Sequence, residues 1–199
     1  MNVTDATFAG SVADWDALPA GDLPEAVFVG RSNVGKSTLL NALAGQEGLA
    51  YTSGTPGRTR TLNFFHIERG RGGPFHLVDA PGLGYAKAPG QERECWQHLL
   101  ARYLAERAPL RLVMHLMDSR HEPQPADRDV FHFLGGQRVP YLAVLTKADK
   151  LNQSERATTA RRAKEVLLEA QLEAPVVLTS ASEGEGLTEV RAWLDEMVR

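Results

Sequence analysis

The stretch Gly30-Arg31-Ser32-Asn33-Val34-Gly35-Lys36-Ser37 has the spacing G-x-x-x-x-G-K-S. An apolar run, Ala26 to Val29, precedes it, and a helical pattern, Thr38 to Leu43, follows. Strand, glycine-rich loop and helix in that order make a phosphate cradle. Gly30 and Gly35 permit backbone angles and close approaches that a side chain would block. The loop N–H groups can then point inward, and the helix N-terminus adds partial positive charge. Lys36 can reach the β- and γ-phosphates, and the Ser37 hydroxyl can bind Mg²⁺. The bland alternative is a glycine-rich turn that matches by chance, and three further motifs argue against it.

The apolar stretch Phe75 to Val78 runs into Asp79-Ala80-Pro81-Gly82. An Asp at a strand's carboxyl end can support Mg²⁺, often through water. Gly82 can offer its backbone N–H to a γ-phosphate. Alone, this D-x-x-G is a common strand end before a turn; downstream of a phosphate cradle it is informative. Leu142 to Leu145 ends in Thr146-Lys147-Ala148-Asp149. A carboxylate accepts two hydrogen bonds, which matches the N1–H and N2 amino donors of guanine and no donor pair on adenine. Lys147 can lay its stem along the base plane. Thr146 stands where most such motifs carry Asn, and its hydroxyl can do part of the same loop bracing. Last comes Leu178-Thr179-Ser180-Ala181, where small residues let the Ala181 N–H approach the guanine carbonyl.

These groups need strands that end together. The pattern predicts strands over 26–29, 61–67, 75–78, 110–117, 141–145 and 175–178. Helical patterns cover 91–108, with Trp96, Leu99, Leu100, Tyr103 and Leu104 at helical spacing, then 127–134, 152–171 and 185–198. Glu68 to Pro74 reads as a hairpin turn, and residues 50–60 and 82–90 as exposed loops. Residues 1–24 are a lead-in in which Ala6 to Val12 could form a short edge strand. Strand–helix alternation over 25–199 predicts one α/β domain of three layers, with ligands at the carboxyl ends of the strands.

Composition bounds the rest. The chain has 199 residues, 43% hydrophobic and 24% charged, with net charge −3. That is ordinary for one globular domain and announces no nucleic-acid partner. Its single cysteine, Cys95, sits in a helical pattern and reads as a structural thiol; a reducing cytoplasm is the natural setting. No apolar run approaches the ~20 residues of a membrane span. The acidic start gives no export signal, and the last residues form no prenylation box. His76 and His115 lie in strand patterns and read as core-adjacent. No Cys/His spacing suggests zinc.

The order GRSNVGKS, TPGRT, DAPG, TKAD, SA is similar to that of translation-factor-class, Era-like GTPases. More narrowly it resembles the bacterial EngB/YihA/YsxC family of ribosome-biogenesis GTP-binding proteins. Asn63-Phe64-Phe65, Gly82 to Lys87, Trp96, Tyr103-Leu104, Asp118-Ser119-Arg120 and Asp127 extend the resemblance over about residues 8–195. It implies a Ras-like fold with a mostly parallel six-stranded sheet, GTP or GDP as ligand, and Mg²⁺. It also implies GTP-dependent association with the large ribosomal subunit or its precursor, and a need in cell division and septation. A monomer with no membrane or DNA partner is expected. By the same resemblance Thr59 would be a second Mg²⁺ ligand in the GTP state beside Ser37 and Asp79. Gly57, Arg58, Thr59, Arg60 and Thr61 would close over the phosphates, with Lys36 and Thr59 serving catalysis. Two departures stand out: Ala80 and Leu83 replace the family's Leu and Tyr, and Ala181 its commoner Ser.

Many Ras-like proteins place Gln after D-x-x-G to orient the attacking water. Leu83 cannot hydrogen-bond water, so the intrinsic rate should be low, and no general base can be assigned. In related GTPases the Asn at position 33 helps hold a potassium ion; here Asn33 either does so or only braces the loop. Arg58, Arg60, Arg69, Arg71 and His66 form a basic cluster suited to RNA phosphates. Arg156, Arg161, Arg162 and Lys164, interleaved with Glu, read as solvated surface. A small-molecule P-loop kinase is disfavoured by the Asp149 motif. A membrane-trafficking GTPase would need a lipidated tail, and a switch with a non-ribosomal protein partner remains the alternative.

Overall fold

The structure is a computed structural model that describes residues 1–50, 61–83 and 90–199, with backbone alone over 90–93. Its strands are β1 (Val3–Val12), β2 (Glu25–Gly30), β3 (Leu62–Arg69), β4 (Phe75–Asp79), β5 (Leu110–Asp118), β6 (Tyr141–Thr146) and β7 (Val176–Leu178). Its helices are α1 (Lys36–Ala44), α2 (Gly90–Glu106), α3 (Pro125–Gly135), α4 (Gln153–Glu169) and α5 (Leu187–Met197). One sheet of order β1-β3-β4-β2-β5-β6-β7 takes all the described strands. The β1–β3 and β3–β4 pairs are antiparallel and the other four parallel. The sheet is therefore mostly parallel but has seven strands, one more than the resemblance implies. The extra strand is the N-terminal edge, which starts at Val3 rather than Ala6. Register shifts between Val3 and Asp5 and between Phe8 and Gly10 interrupt its alternation, so the sequence pattern shows only part of it.

Every residue of β2 and β6 is buried, as strands covered on both faces must be. Leu39, Leu40 and Leu43 of α1 and Val190 and Leu194 of α5 cover one face. Trp96, Leu99 and Tyr103 of α2, Phe131 of α3 and Leu167 of α4 cover the other. Asn152 caps α4 by accepting from the Glu155 N–H at 3.0 Å. The parallel register sets Gly30 beside Leu116, Phe28 beside Asp79, Asp118 beside Thr146 and Leu145 beside Leu178. Five strand ends thus meet along one edge of the sheet.

The opposite edge is closed by buried charge. Glu25, 1% exposed, accepts from the Tyr103 hydroxyl at 2.6 Å and from Arg107 at 2.5 Å. Towards the nucleotide end of β5, where His115 sits beside Val29, its ring is fully buried against Asp127 of α3 at 3.1 Å. Arg69 is also buried; it donates to the carbonyls of Gly72, Gly73 and Val198 and to Asp195, with its guanidinium over the Phe75 ring. Arg69 is therefore withdrawn from the expected RNA-binding cluster: its donors are spent closing the β3–β4 hairpin onto the end of α5. Asn63 pairs with Asp79 at one end of β3, so the Arg69–Arg71 hairpin lies at the far end of the sheet from Gly30. Arg156, Arg161 and Arg162 pair with Glu185, Glu165 and Glu122. Cys95, read as a structural thiol, lies exposed on α2. No described helix is long and apolar enough to cross a membrane.

Candidate nucleotide site

The loop after β2 owes its shape to close approaches. A Cβ on Gly30 would come within 2.5 Å of the Leu116 carbonyl, so β5 leaves room only for glycine. Asn33 takes a left-handed backbone at φ 62° and Gly35 one at φ 106°. Arg31, Ser32 and Asn33 stay exposed, while Val34 is 4% exposed and anchors the loop in the core. The Thr146 hydroxyl, 2.6 Å from the Val34 carbonyl, ties the loop to the end of β6. The Lys36 ammonium folds back to 3.3 Å from the carbonyls of Gly30 and Arg31. Burial lowers its pKa, and the negative charge of Asp79 opposes that fall.

Asp79 ends β4 with its carboxylate beside the first turn of α1. One oxygen lies 3.5 Å from the Ser37 hydroxyl. The other, Oδ1, is buried and has no hydrogen-bond partner among the described residues. Burial pushes the carboxyl up to about 6, although Lys36 and Ser37 both pull it down. Beyond it, the Ala80 N–H donates to the Phe28 carbonyl at 3.0 Å and the Leu83 N–H to Gly30 at 2.9 Å. Pro81 is buried, and Gly82 lies against Ser32, where an added Cβ would come 2.8 Å from the Ser32 nitrogen. Leu83 is 9% exposed and belongs to the same core cluster as Trp96 and Leu99.

At the end of β6, Lys147 also adopts a left-handed backbone, φ 60°. Its ammonium donates to the Asn33 carbonyl at 2.9 Å and to Asp118 Oδ2 at 2.8 Å. Ala148 is fully buried, and its N–H donates to the Thr179 carbonyl at 3.0 Å. Asp149 accepts from the Ser180 hydroxyl at 2.8 Å and pairs with Lys150 at 2.8 Å. Hydrogen bonds from Lys150 and Ser180 lower its pKa, so it is ionised at neutral pH. Ser180 is buried and exchanges backbone bonds with Glu185, which fixes the turn carrying Ala181.

Thr61 lies at the start of β3, its hydroxyl 3.1 Å from Asn63 Oδ1. Gly57, Arg58, Thr59 and Arg60 lie outside the described residues. Asp118 had no role assigned from the sequence. The signal was there: an apolar strand, Leu110 to Met117, that ends in Asp, as the strand before Asp79 does.

A three-layer sheet of this order, with its cradle and carboxylates gathered on one edge, is that of a P-loop GTPase. A family model described as 50S ribosome-binding GTPase matches residues 25–147. A probable GTP-binding protein EngB of Chlorobium phaeobacteroides is 43% identical over 199 residues, the whole of both chains. One of Pelotomaculum thermopropionicum is 43% identical over 190 residues, 96% of this chain and 93% of its own. The chain belongs to the EngB family of GTP-binding proteins: it binds guanine nucleotides and is a GTPase. The fold matches a crystal structure of a probable GTP-binding protein EngB at a TM-score of 0.70, with 22% identity over 88% of this chain and 98% of that one. It also matches Era, solved with MgGDPNP and nucleotides of 16S ribosomal RNA, at 0.72, with 21% identity over 90% and 58%.

Proposed function

We propose that this protein is a slow GTPase switch that acts in assembly of the large ribosomal subunit and supports normal division and septation. The ribosomal part rests on the family's description as 50S ribosome-binding GTPases. The choice of guanine rests on Asp149, ionised and steadied by Ser180 at the edge where the phosphate loop also ends. In this reading Gly30 to Ser37 cradle the phosphates, and Gly82 offers its N–H to the γ-phosphate. Thr146, Lys147, Ala148 and Asp149, with Thr179, Ser180 and Ala181, frame the base. Ala80 and Pro81 carry the chain from Asp79 to Gly82, and Gly57 to Thr61 close the site in the GTP state.

The residues fit Mg²⁺. Ser37 and Asp79 supply hard oxygen donors, and the buried, unpartnered Oδ1 of Asp79 is short of a cation. Ser37, Asp79 and Thr59 would hold the ion, which supplies neutralisation of phosphate charge. Lys36, whose ammonium lies against the phosphate loop, would add further positive charge. Leu83, held in the core, gives the water no hydrogen bond, so the rate is low without help. Asn33 is exposed and its side chain makes no hydrogen bond among the described residues; that favours the potassium reading over bracing. Hydrolysis should then rise in K⁺ over Na⁺, and Asn33→Ala should remove that difference. The decisive experiment is sedimentation with purified large subunits in a non-hydrolysable GTP analogue against GDP. Pelleting in the GTP form alone supports the switch; no pelleting in either form, or a pull-down of a non-ribosomal protein instead, overturns the ribosomal role.

A further inference from the structure

Asp118 lies at the centre of a chain of short polar contacts that joins the two halves of the nucleotide site. Its Oδ2 accepts from Lys147 Nζ at 2.8 Å. Arg120 grips the same carboxylate through Nε at 2.9 Å and Nη2 at 2.7 Å. The Arg120 backbone N–H adds a bond to Oδ1 at 3.1 Å. Lys147 Nζ continues to the Asn33 carbonyl at 2.9 Å. The contacts therefore run from Arg120 through Asp118 and Lys147 to the phosphate loop. Burial alone would raise the Asp118 carboxyl, but the bonds from Arg120 and Lys147 outweigh it and hold it well below the ordinary range. It is a permanent anion, 15% exposed at the side chain.

We infer that Asp118, locked by Arg120, is a positioning residue for nucleotide retention. It holds the Lys147 ammonium against the Asn33 carbonyl, which fixes the lysine stem as a flat wall for the base. A lysine otherwise has many rotamers to lose when it orders, and a ligand that orders it loses that much affinity. An ammonium has three donors, and two are committed here, so the stem is arranged before the nucleotide arrives. Asp118 also fixes the Asn33 carbonyl through Lys147, at a residue whose left-handed backbone tolerates little drift. Asp118 acts on the base side, away from the γ-phosphate. Its effect should therefore be the same for GDP and GTP, unlike that of Thr59.

This inference rests on the reading of Lys147 as a base-contacting residue, and the test separates the two. Dissociation of a fluorescent GDP is timed after mixing with excess GDP for the wild type, Lys147→Ala, Asp118→Asn and the double variant. Asp118→Asn should release GDP and GTP analogues about 10-fold faster, with similar factors for both. In the double variant the Asp118 change should add nothing to Lys147→Ala, because a residue that acts only through another shows full coupling to it. Arg120→Ala, at an exposed side chain, should give a smaller acceleration of about 2–3-fold that also vanishes without Lys147. That variant carries the test if Asp118→Asn fails to fold. Multiplying effects in the double variant would overturn the positioning role, since Asp118 would then act by another route. So would wild-type release by both Asp118→Asn and Arg120→Ala. Wild-type release by Lys147→Ala would instead refute the base-site reading beneath it.

Discussion

Ionised Asp79 is costly in the metal-free fold. Burial raises its carboxyl from 3.8 to about 6, a difference worth about 3 kcal/mol at neutral pH. The folded chain keeps this proton longer than the unfolded chain does. Its stabilising contribution is therefore full below 3.8 and is lost as pH rises through about 6. Without nucleotide and Mg²⁺, Asp79→Asn should raise the melting temperature at pH 7.5, by roughly 2–4 °C for each kcal/mol recovered. The same variant should lose the Mg²⁺-dependent tightening of GTP binding. Calorimetry with and without Mg²⁺ checks both signs; a lower melting temperature in the metal-free variant would contradict the cost assigned to Asp79. In the wild type, protons compete with Mg²⁺ for this carboxylate, so at limiting Mg²⁺ the Mg²⁺ effect on GDP affinity should weaken as pH falls below about 6. Its persistence unchanged down to pH 5 at limiting Mg²⁺ would count against Asp79 as a metal ligand. Asp149→Asn tests the other end. It exchanges an acceptor for a donor opposite the guanine amino group, and a charged hydrogen bond is worth ~1.5–3 kcal/mol. GDP affinity should fall by about one to two decades while xanthosine diphosphate gains. Unchanged GDP titration would take Asp149 out of the site.

Strand ends were the legible part of this chain. Each of Gly30, Asp79 and Thr146 follows an apolar run, so hydrophobic periodicity and chemistry mark the same boundary. β2, β4, β5, β6 and β7 appear in the structure within a residue or two of the expected bounds. What was not legible depends on contacts between distant residues. Arg69 reads as exposed because it stands between Glu68 and the Gly70-Arg71 turn, yet its partners Asp195 and Val198 lie 126 and 129 residues away. Asp118 meets Lys147 across 29 residues, and no local pattern announces the pair. The same holds for Glu25, which meets Tyr103 and Arg107 across 78 and 82 residues and ties the end of α2 to the start of β2. Removing only the cation tests that tie. Arg107→Met should destabilise the fold by about 3–5 kcal/mol, because Glu25 is left buried without its counter-charge. Glu25→Gln combined with Arg107→Met should recover much of the loss. Urea unfolding measures both; a single-variant loss under about 1 kcal/mol would mean that solvent already screens the pair.

At the scale of the molecule, the sheet separates two ends with different duties. The nucleotide edge carries Gly30, Asp79, Asp118, Thr146 and the base turn. The far end carries the β3–β4 hairpin, closed by Arg69 onto α5. A nucleotide shifts the protein only through contacts that differ between its two states, and segments next to those contacts respond most directly. By that rule Arg58 and Arg60, which flank Thr59 in sequence, are candidates for GTP-dependent contact with ribosomal RNA, and exposed Arg71 at the far end is not. Arg69 must be left out of any such test. Reversing its charge would set a carboxylate beside Asp195 and three carbonyl oxygens in a buried site, so lost binding would report unfolding. Arg58→Glu with Arg60→Glu should abolish the excess pelleting with large subunits in the GTP analogue over GDP. Arg71→Glu should preserve that excess, whatever it does to affinity overall. Binding in the GTP form should weaken as salt rises, since each phosphate contact releases counterions. The paired Arg58 and Arg60 reversals should flatten that salt dependence by about two contacts. If Arg71→Glu alone erases the GTP preference, the hairpin end must move with the nucleotide after all, and the division of the sheet into a sensing edge and a closed end fails.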